Sequence, residues 1–174
     1  MLTSDLKKTI REVPDFPKPG INFYDISTLF RDAKAFRAAV DRMLERYRGE
    51  AVDALVGIEA RGFVLASVLA YELGLGLVLA RKEGKLPGET AGETYSLEYG
   101  EARIEIHTDA VGAGQRFVVI DDLLATGGTA GATGRLIERL GGEVLGYGFL
   151  VELGFLGGRK QLESDGVFSL LQYS

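Results

Sequence analysis

Two adjacent carboxylates, Asp121 and Asp122, close the apolar run Phe117-Val-Val-Ile120, and after two leucines comes Ala125-Thr-Gly-Gly-Thr129. The run reads as a buried strand over Phe117 to Asp121, and the residues from Thr129 onward read as a helix. The acids and the turn therefore share the carboxyl end of one strand, where α/β sheets bind ligands. Glycines let a backbone curl closely around a ligand, and the unsatisfied amides of a helix start favour an anion. Thr126 and Thr129 add hydroxyl donors. Two like charges beside such a turn would repel an anion unless they address a neutral part of the same molecule. A phosphorylated sugar supplies both parts: a phosphate for the turn, and vicinal hydroxyls for the acids to accept from. The competing reading is structural, with the acids capping a bend that the glycines fit. A Walker loop needs a Lys after the turn, and a dinucleotide fingerprint needs its glycines after a strand, whereas Gly112-Ala-Gly114 precedes one.

The rest of the composition narrows the partners. The chain has 174 residues, no cysteine and a formal charge of -5, with a pI near 5.0. That length suits one domain over 1-174, with a core large enough to need no metal or disulfide staple. An acidic surface argues against a nucleic-acid partner, because a phosphate backbone demands a basic face. The start Met-Leu-Thr-Ser-Asp-Leu-Lys-Lys lacks the apolar stretch of a signal peptide, and no segment approaches the roughly 18 apolar residues of a span. The expectation is a cytoplasmic protein that does not enter the membrane. An anionic ligand must then find local cations, and Arg61, Arg81, Lys82 and Lys85 are the candidates. The lone histidine, His107, reads as structural.

Elements to hold these residues can be read from periodicity. Leu2 to Val13 has helical spacing and is closed by Pro14, Pro17 and Pro19. Ala33 to Arg48 repeats apolar residues as an amphipathic helix does. Asp53 to Ile58 reads as a strand, followed by a turn holding Arg61 and an apolar helix from Phe63 to Leu73. Further strands are expected at Leu75 to Ala80, Glu143 to Leu153 and Val167 to Leu171, with a helix at Thr129 to Leu140. Alternating strands and helices imply an α/β fold with a mostly parallel central sheet flanked by helices. Arg81 to Thr94 is too polar and long for an ordinary connection, and Tyr95 to His107 alternates like a hairpin.

At this point the residues resemble a known family. Val119-Ile-Asp-Asp-Leu-Leu-Ala-Thr-Gly-Gly-Thr129 is similar to the phosphoribosyl diphosphate (PRPP) signature of the type I phosphoribosyltransferases. Pro14-Asp-Phe-Pro-Lys-Pro-Gly-Ile-Asn-Phe-Tyr-Asp-Ile26, Gly57-Ile-Glu-Ala-Arg-Gly-Phe63, Arg81-Lys-Glu-Gly-Lys-Leu-Pro-Gly88, Tyr95-Ser-Leu-Glu-Tyr-Gly100 and Val151-Glu-Leu153 look like further blocks of that family, in its order. The first and fourth narrow it to the branch that uses adenine.

The resemblance implies that adenine displaces pyrophosphate from C1 of PRPP to give AMP, with Mg2+ supporting the leaving group and held mainly by PRPP, pyrophosphate and water. Asp121 and Asp122 would accept from the ribose hydroxyls and face the positive charge developing at C1. Ala125, Thr126, Gly127, Gly128 and Thr129 would hold the 5-phosphate, and Arg61, Arg81 and Lys82 the pyrophosphate end. Lys85 would ride a flexible loop and hairpin, 82-107, with Gly84, Gly88 and Gly92 permitting its motion. Glu98 would be the acid/base group at the base. Phe23 would stack on adenine, Leu123 would form the opposite wall, and backbone groups around Asn22 and Tyr24 would read its edge, in an N-terminal arm (1-30) that forms a hood. The resemblance also implies a non-proline cis bond at Ala60-Arg61 and a homodimer. Two rivals share the PRPP signature: an enzyme for hypoxanthine, guanine, xanthine or orotate, and a noncatalytic PRPP-binding regulator.

Overall fold

The computed structural model describes residues 1–97 and 100–174. Among them, seven strands form one sheet in the order β5-β6-β4-β3-β7-β8-β9. These are β3 (Ala54–Ile58), β4 (Gly76–Lys82), β5 (Thr90–Ser96), β6 (Glu101–His107), β7 (Arg116–Leu124), β8 (Glu143–Leu153) and β9 (Val167–Tyr173). β4, β3, β7, β8 and β9 run parallel, and the β5–β6 hairpin joins antiparallel at one edge. The expected α/β architecture holds, because every residue of β3 is buried and both faces of the sheet are covered.

One face packs against α3 (Ala33–Tyr47) and α4 (Arg61–Leu73), burying Met43, Leu65 and Leu69 against Val118, Ile120 and Leu150. α5 (Gly128–Arg139) and the hairpin cover the other face, with Leu136, Ile137, Ile104 and Ile106 on Val119 and Phe149. α3 begins where expected because Asp32 Oδ1 accepts from the amides of Lys34 and Ala35, at 2.9 and 3.1 Å. No helix of the described residues is long and apolar enough to cross a membrane.

The structure departs from the expected elements in five places, each for a local reason. The first helix stops early, as α1 (Thr3–Thr9), and Arg11–Val13 forms strand β1, antiparallel to β2 (Phe23–Asp25). Pro14 biases Val13 toward an extended backbone, and Arg11 pairs with Asp25 at 2.6 Å across the two strands. α2 (Ser27–Arg31) then leads back to the core. Arg61 is the first residue of α4 and not part of a preceding turn. The non-proline cis bond is Glu59-Ala60, one peptide earlier than the resemblance implied, and Phe16-Pro17 is also cis.

β7 continues past the two acids to Leu124, because the eleven-residue β8 offers partners as far as Leu123↔Val151 and Leu124↔Glu152. β3 pairs with β7 only as far as Gly57↔Ile120. The acids are thus laddered on one side and open on the other. Finally, the hairpin starts at Thr90, so Gly92 is a paired strand residue and not a loop hinge. The Arg103 guanidinium fills the place where a Cβ on Gly92 would stand.

Candidate active site

Because β4, β3 and β7 are parallel neighbours, their carboxyl ends lie side by side, and each end carries chemistry. β7 brings Asp121 and Asp122, β3 leads into Glu59 and Arg61, and β4 ends on Arg81 and Lys82.

At the centre, Arg61 Nε stands 2.7 Å from Asp122 Oδ2. That buried oxygen nevertheless accepts no aligned hydrogen bond among the described residues. The Arg61 charge is therefore what offsets the burial of this carboxylate, and its remaining lone pairs can accept from a ligand hydroxyl. Asp121 Oδ1 accepts the amide of Asp122 at 2.8 Å. Burial first, and then the charge of Asp122, hold the Asp121 carboxyl well above the usual carboxylate range. Gly62 makes this arrangement possible: a Cβ there would lie 2.7 Å from Asp121 Oδ1 and 3.0 Å from the Ile120 carbonyl.

Next to the acids, Asp121, Leu123 and the whole Ala125 to Thr129 turn line one cavity. Gly127 caps α5 with φ +82, and the residues that carry the unsatisfied amides of the helix start, Gly128 to Ala130, are among those lining that cavity. A segment that sequence reading gave no role braces the turn from behind. The Gly158 carbonyl and Gln161 lie against Gly127, and Gly158 itself lies against the Ala125 carbonyl. Arg159 holds this brace by a forked pair to Glu152, at 2.7 Å on both arms, and by donating to the Val167 carbonyl at 3.0 Å. In the sequence the only signal for this brace is the block Val151-Glu-Leu153, whose carboxylate stands among apolar residues.

Glu59 was missed as well, although it stands just beyond a buried strand. Its Oε2 accepts from the Lys82 amide at 2.9 Å and Arg81 Nε at 3.3 Å. Arg81 also donates to the Lys85 carbonyl at 3.0 Å, so the 82-85 turn is held from inside while the Lys82 and Lys85 side chains are exposed. His107 Nε2 lies 2.7 Å from the Pro87 carbonyl, a structural contact closing the same loop.

The β1–β2 hood brings Phe23 over this edge, with Arg61 Cζ 5.7 Å from its ring centroid. Strand alternation turns Tyr24 the other way, onto Tyr173 of β9 with centroids 4.2 Å apart. Tyr24 therefore anchors the hood. Asn22 donates to Glu12 at 2.8 Å, so its side chain is tied within the hood. Phe23, Arg61, Asp121, Asp122, Leu123 and the 125-129 turn come together; Arg81 and Lys82 border them at the end of β4, with Lys85 in the turn that follows. Glu98 lies outside the described residues.

Comparison with known proteins agrees with this arrangement. The phosphoribosyl transferase domain matches residues 28–169. The chain is 57% identical to the adenine phosphoribosyltransferase of Desulfitobacterium hafniense, covering 99% of this chain and 100% of that one. It is 56% identical to that of Solibacter usitatus, over 97% and 98%. A crystal structure of the Thermoanaerobacter pseudethanolicus adenine phosphoribosyltransferase superposes with a TM-score of 0.95 at 49% identity, over 99% and 100% of the two chains. The Saccharomyces cerevisiae enzyme, complexed with adenine and an imino-altritol bisphosphate, gives 0.91 at 41% identity, over 97% and 98%. Matched over 97–99% of its length by these enzymes, the chain belongs to the adenine phosphoribosyltransferase family.

Proposed function

We propose that this protein is a purine-salvage enzyme that transfers the phosphoribosyl group of PRPP to adenine, giving AMP and pyrophosphate. The observation that carries the reading is the adjacent pair Asp121 and Asp122 on the strand that runs straight into the 125-129 turn, with Asp121 and that turn lining one cavity. A ligand with hydroxyls next to a phosphate fits that spacing; a nucleobase or a phosphate alone would satisfy only half of it.

The residues divide the work by chemistry. The amides and hydroxyls of 125-129 hold the 5-phosphate. Asp121 and Asp122 accept from the ribose hydroxyls and stabilise positive charge as the C1–pyrophosphate bond loosens. Arg61, paired to Asp122 through Nε but 46% exposed at its side chain, offers the terminal nitrogens of its planar guanidinium to pyrophosphate oxygens. Lys82 and Lys85 add charge at that end. Phe23 offers an aromatic face to adenine and Leu123 the opposite wall, with backbone groups around Asn22 and Tyr24 at its edge. Glu98 receives or returns the base proton as N9 attacks C1.

Mg2+ suits this reaction as a metal carried on the ligand, held mainly by PRPP, pyrophosphate and water, as Mg2+ commonly is by substrate phosphates. Bound there, it would supply positive charge to the leaving pyrophosphate. Family membership further supports a cytoplasmic homodimer.

The test incubates the protein with PRPP, Mg2+ and each nucleobase in turn while pyrophosphate is measured. Release with adenine well above that with hypoxanthine, guanine or orotate is expected. No release with adenine, or faster release with hypoxanthine, would sink the proposal. A second result concerns Glu59, which holds Arg81 and the Lys82 amide with one oxygen. Glu59→Gln should raise the KM for PRPP roughly tenfold, the scale of a charged hydrogen bond, while kcat stays within about threefold. Initial rates at varied PRPP check this, and an unchanged KM would remove Glu59 from the anion site.

A further inference from the structure

The β5–β6 hairpin is fastened to α5, the helix that opens on the phosphate turn. Glu93 pairs with Arg135 at 3.3 Å and also with Arg139. Arg139 Nη2 donates to the Gly92 carbonyl at 2.6 Å. These contacts grip the body of the helix. One more reaches its first turn: the hydroxyls of Thr129 and Tyr95 are hydrogen-bonded, with Oγ1 and Oη 3.0 Å apart. Tyr95 is only 8% exposed, and its ring lies against Gly128, where a Cβ would meet Cδ2 at 3.2 Å. It pairs across the hairpin with Ala102, one residue before β5 ends at Ser96, and the Leu97 amide donates to the Gly100 carbonyl at 2.9 Å to close the hairpin. Glu98 follows Tyr95 by three positions.

We propose that Tyr95 is a positioning residue that links occupancy of the phosphate turn to docking of the hairpin carrying Glu98. This rests on the reading of residues 125-129 as the PRPP phosphate site. The link follows from counting hydrogens. Each of the two hydroxyls has one hydrogen, and either can span the 3.0 Å between them. A phosphate oxygen is a stronger, charged acceptor and takes the Thr129 hydrogen. Tyr95 is then the donor, and Thr129 Oγ1 accepts from it. A donor already polarised by an anion makes a better acceptor for the next group in the chain. Phosphate binding therefore tightens the Tyr95 contact, and the hairpin sits more firmly when PRPP is present. Reciprocity requires the hairpin to strengthen phosphate binding by the same factor.

Tyr95→Phe removes the hydroxyl and keeps the ring on Gly128, so the fold is retained. The measurements are PRPP dissociation constants and amide hydrogen exchange over residues 90-107, with and without PRPP, for the wild type, Tyr95→Phe, Thr129→Val and the double variant. PRPP should slow exchange in the wild-type hairpin, and Tyr95→Phe should lose most of that protection. Its PRPP dissociation constant should rise roughly three- to tenfold, as expected for one hydrogen bond. The double variant should bind no more weakly than Thr129→Val alone, because both changes break the same bond. Wild-type PRPP affinity and protection in Tyr95→Phe, or fully additive effects in the double variant, would overturn the link and leave the assigned function standing. A wild type that binds no PRPP would overturn both.

Discussion

Asp121→Asn is expected to make the protein more stable and nearly inactive. The native carboxylate is held above its usual pKa by burial and by the neighbouring charge of Asp122, so ionising it in the folded state costs free energy that the unfolded chain does not pay. The sign follows from linkage. A carboxylate whose folded pKa is raised destabilises the fold above that pKa, and the penalty fades as pH falls toward the unfolded value, roughly 4. Asparagine keeps an Oδ1 to accept the Asp122 amide, now at 2.8 Å, and removes the charge. Its gain should be of the order of 1 kcal/mol, raising Tm by about 2–4 °C for a chain of this size near pH 7.5. That gain should shrink toward zero as the pH is lowered to about 4. Turnover should fall by roughly 10²-fold or more, the usual cost of deleting one charge-stabilising group at a reacting centre. Calorimetry at several pH values with a pyrophosphate-release assay measures both. Lower stability, or activity within a factor of a few of wild type, would show that the acid is an ordinary structural cap.

This opposition between stability and activity explains why the acid pair could be found in the sequence. Two adjacent carboxylates at the end of a buried strand contradict what burial favours, and such local conflicts mark sites. The sheet strands were legible for the opposite reason: in Asp53 to Ile58 and Phe117 to Ile120 residue type and burial agree. Glu59 and Glu152 escaped notice because each looks like a surface acid until its partner is known, and Arg81 and Arg159 are 22 and 7 positions away. The start of the hairpin escaped for a similar reason. Thr-Ala-Gly-Glu-Thr shows no apolar alternation, because its inward Glu93 is matched by arginines on α5 and not by an apolar surface. The β1–β2 hood was hidden by Leu6 and Ile10, whose spacing suits a helix that in fact ends at Thr9. Periodicity finds elements that bury apolar faces; it is blind to those held by ion pairs made across long stretches of chain.

Gly127→Ala should damage both fold and site, and a second glycine separates the causes. Gly127 has φ +82, where a Cβ costs about 1–2 kcal/mol. That Cβ would also stand 2.3 Å from the Gly158 carbonyl and 3.1 Å from Gln161 Cβ. The first obstacle is backbone held by the Arg159–Glu152 fork, so it cannot swing aside, and overpacking adds a further ~1–3 kcal/mol. Gly74, the left-handed cap of α4, has a similar φ of +69 with nothing within 4 Å of the added atom. Gly74→Ala therefore isolates the backbone cost: Tm should fall by about 2–6 °C with PRPP affinity unchanged. For Gly127→Ala the fall should be about twice as large. PRPP should also bind at least tenfold more weakly, because the turn can relieve the clash only by moving its amides away from the phosphate. Calorimetry and PRPP titration of the two variants give the comparison. Equal losses of Tm with unchanged PRPP binding would mean that the brace behind the turn yields, and that the phosphate amides are set by α5 alone.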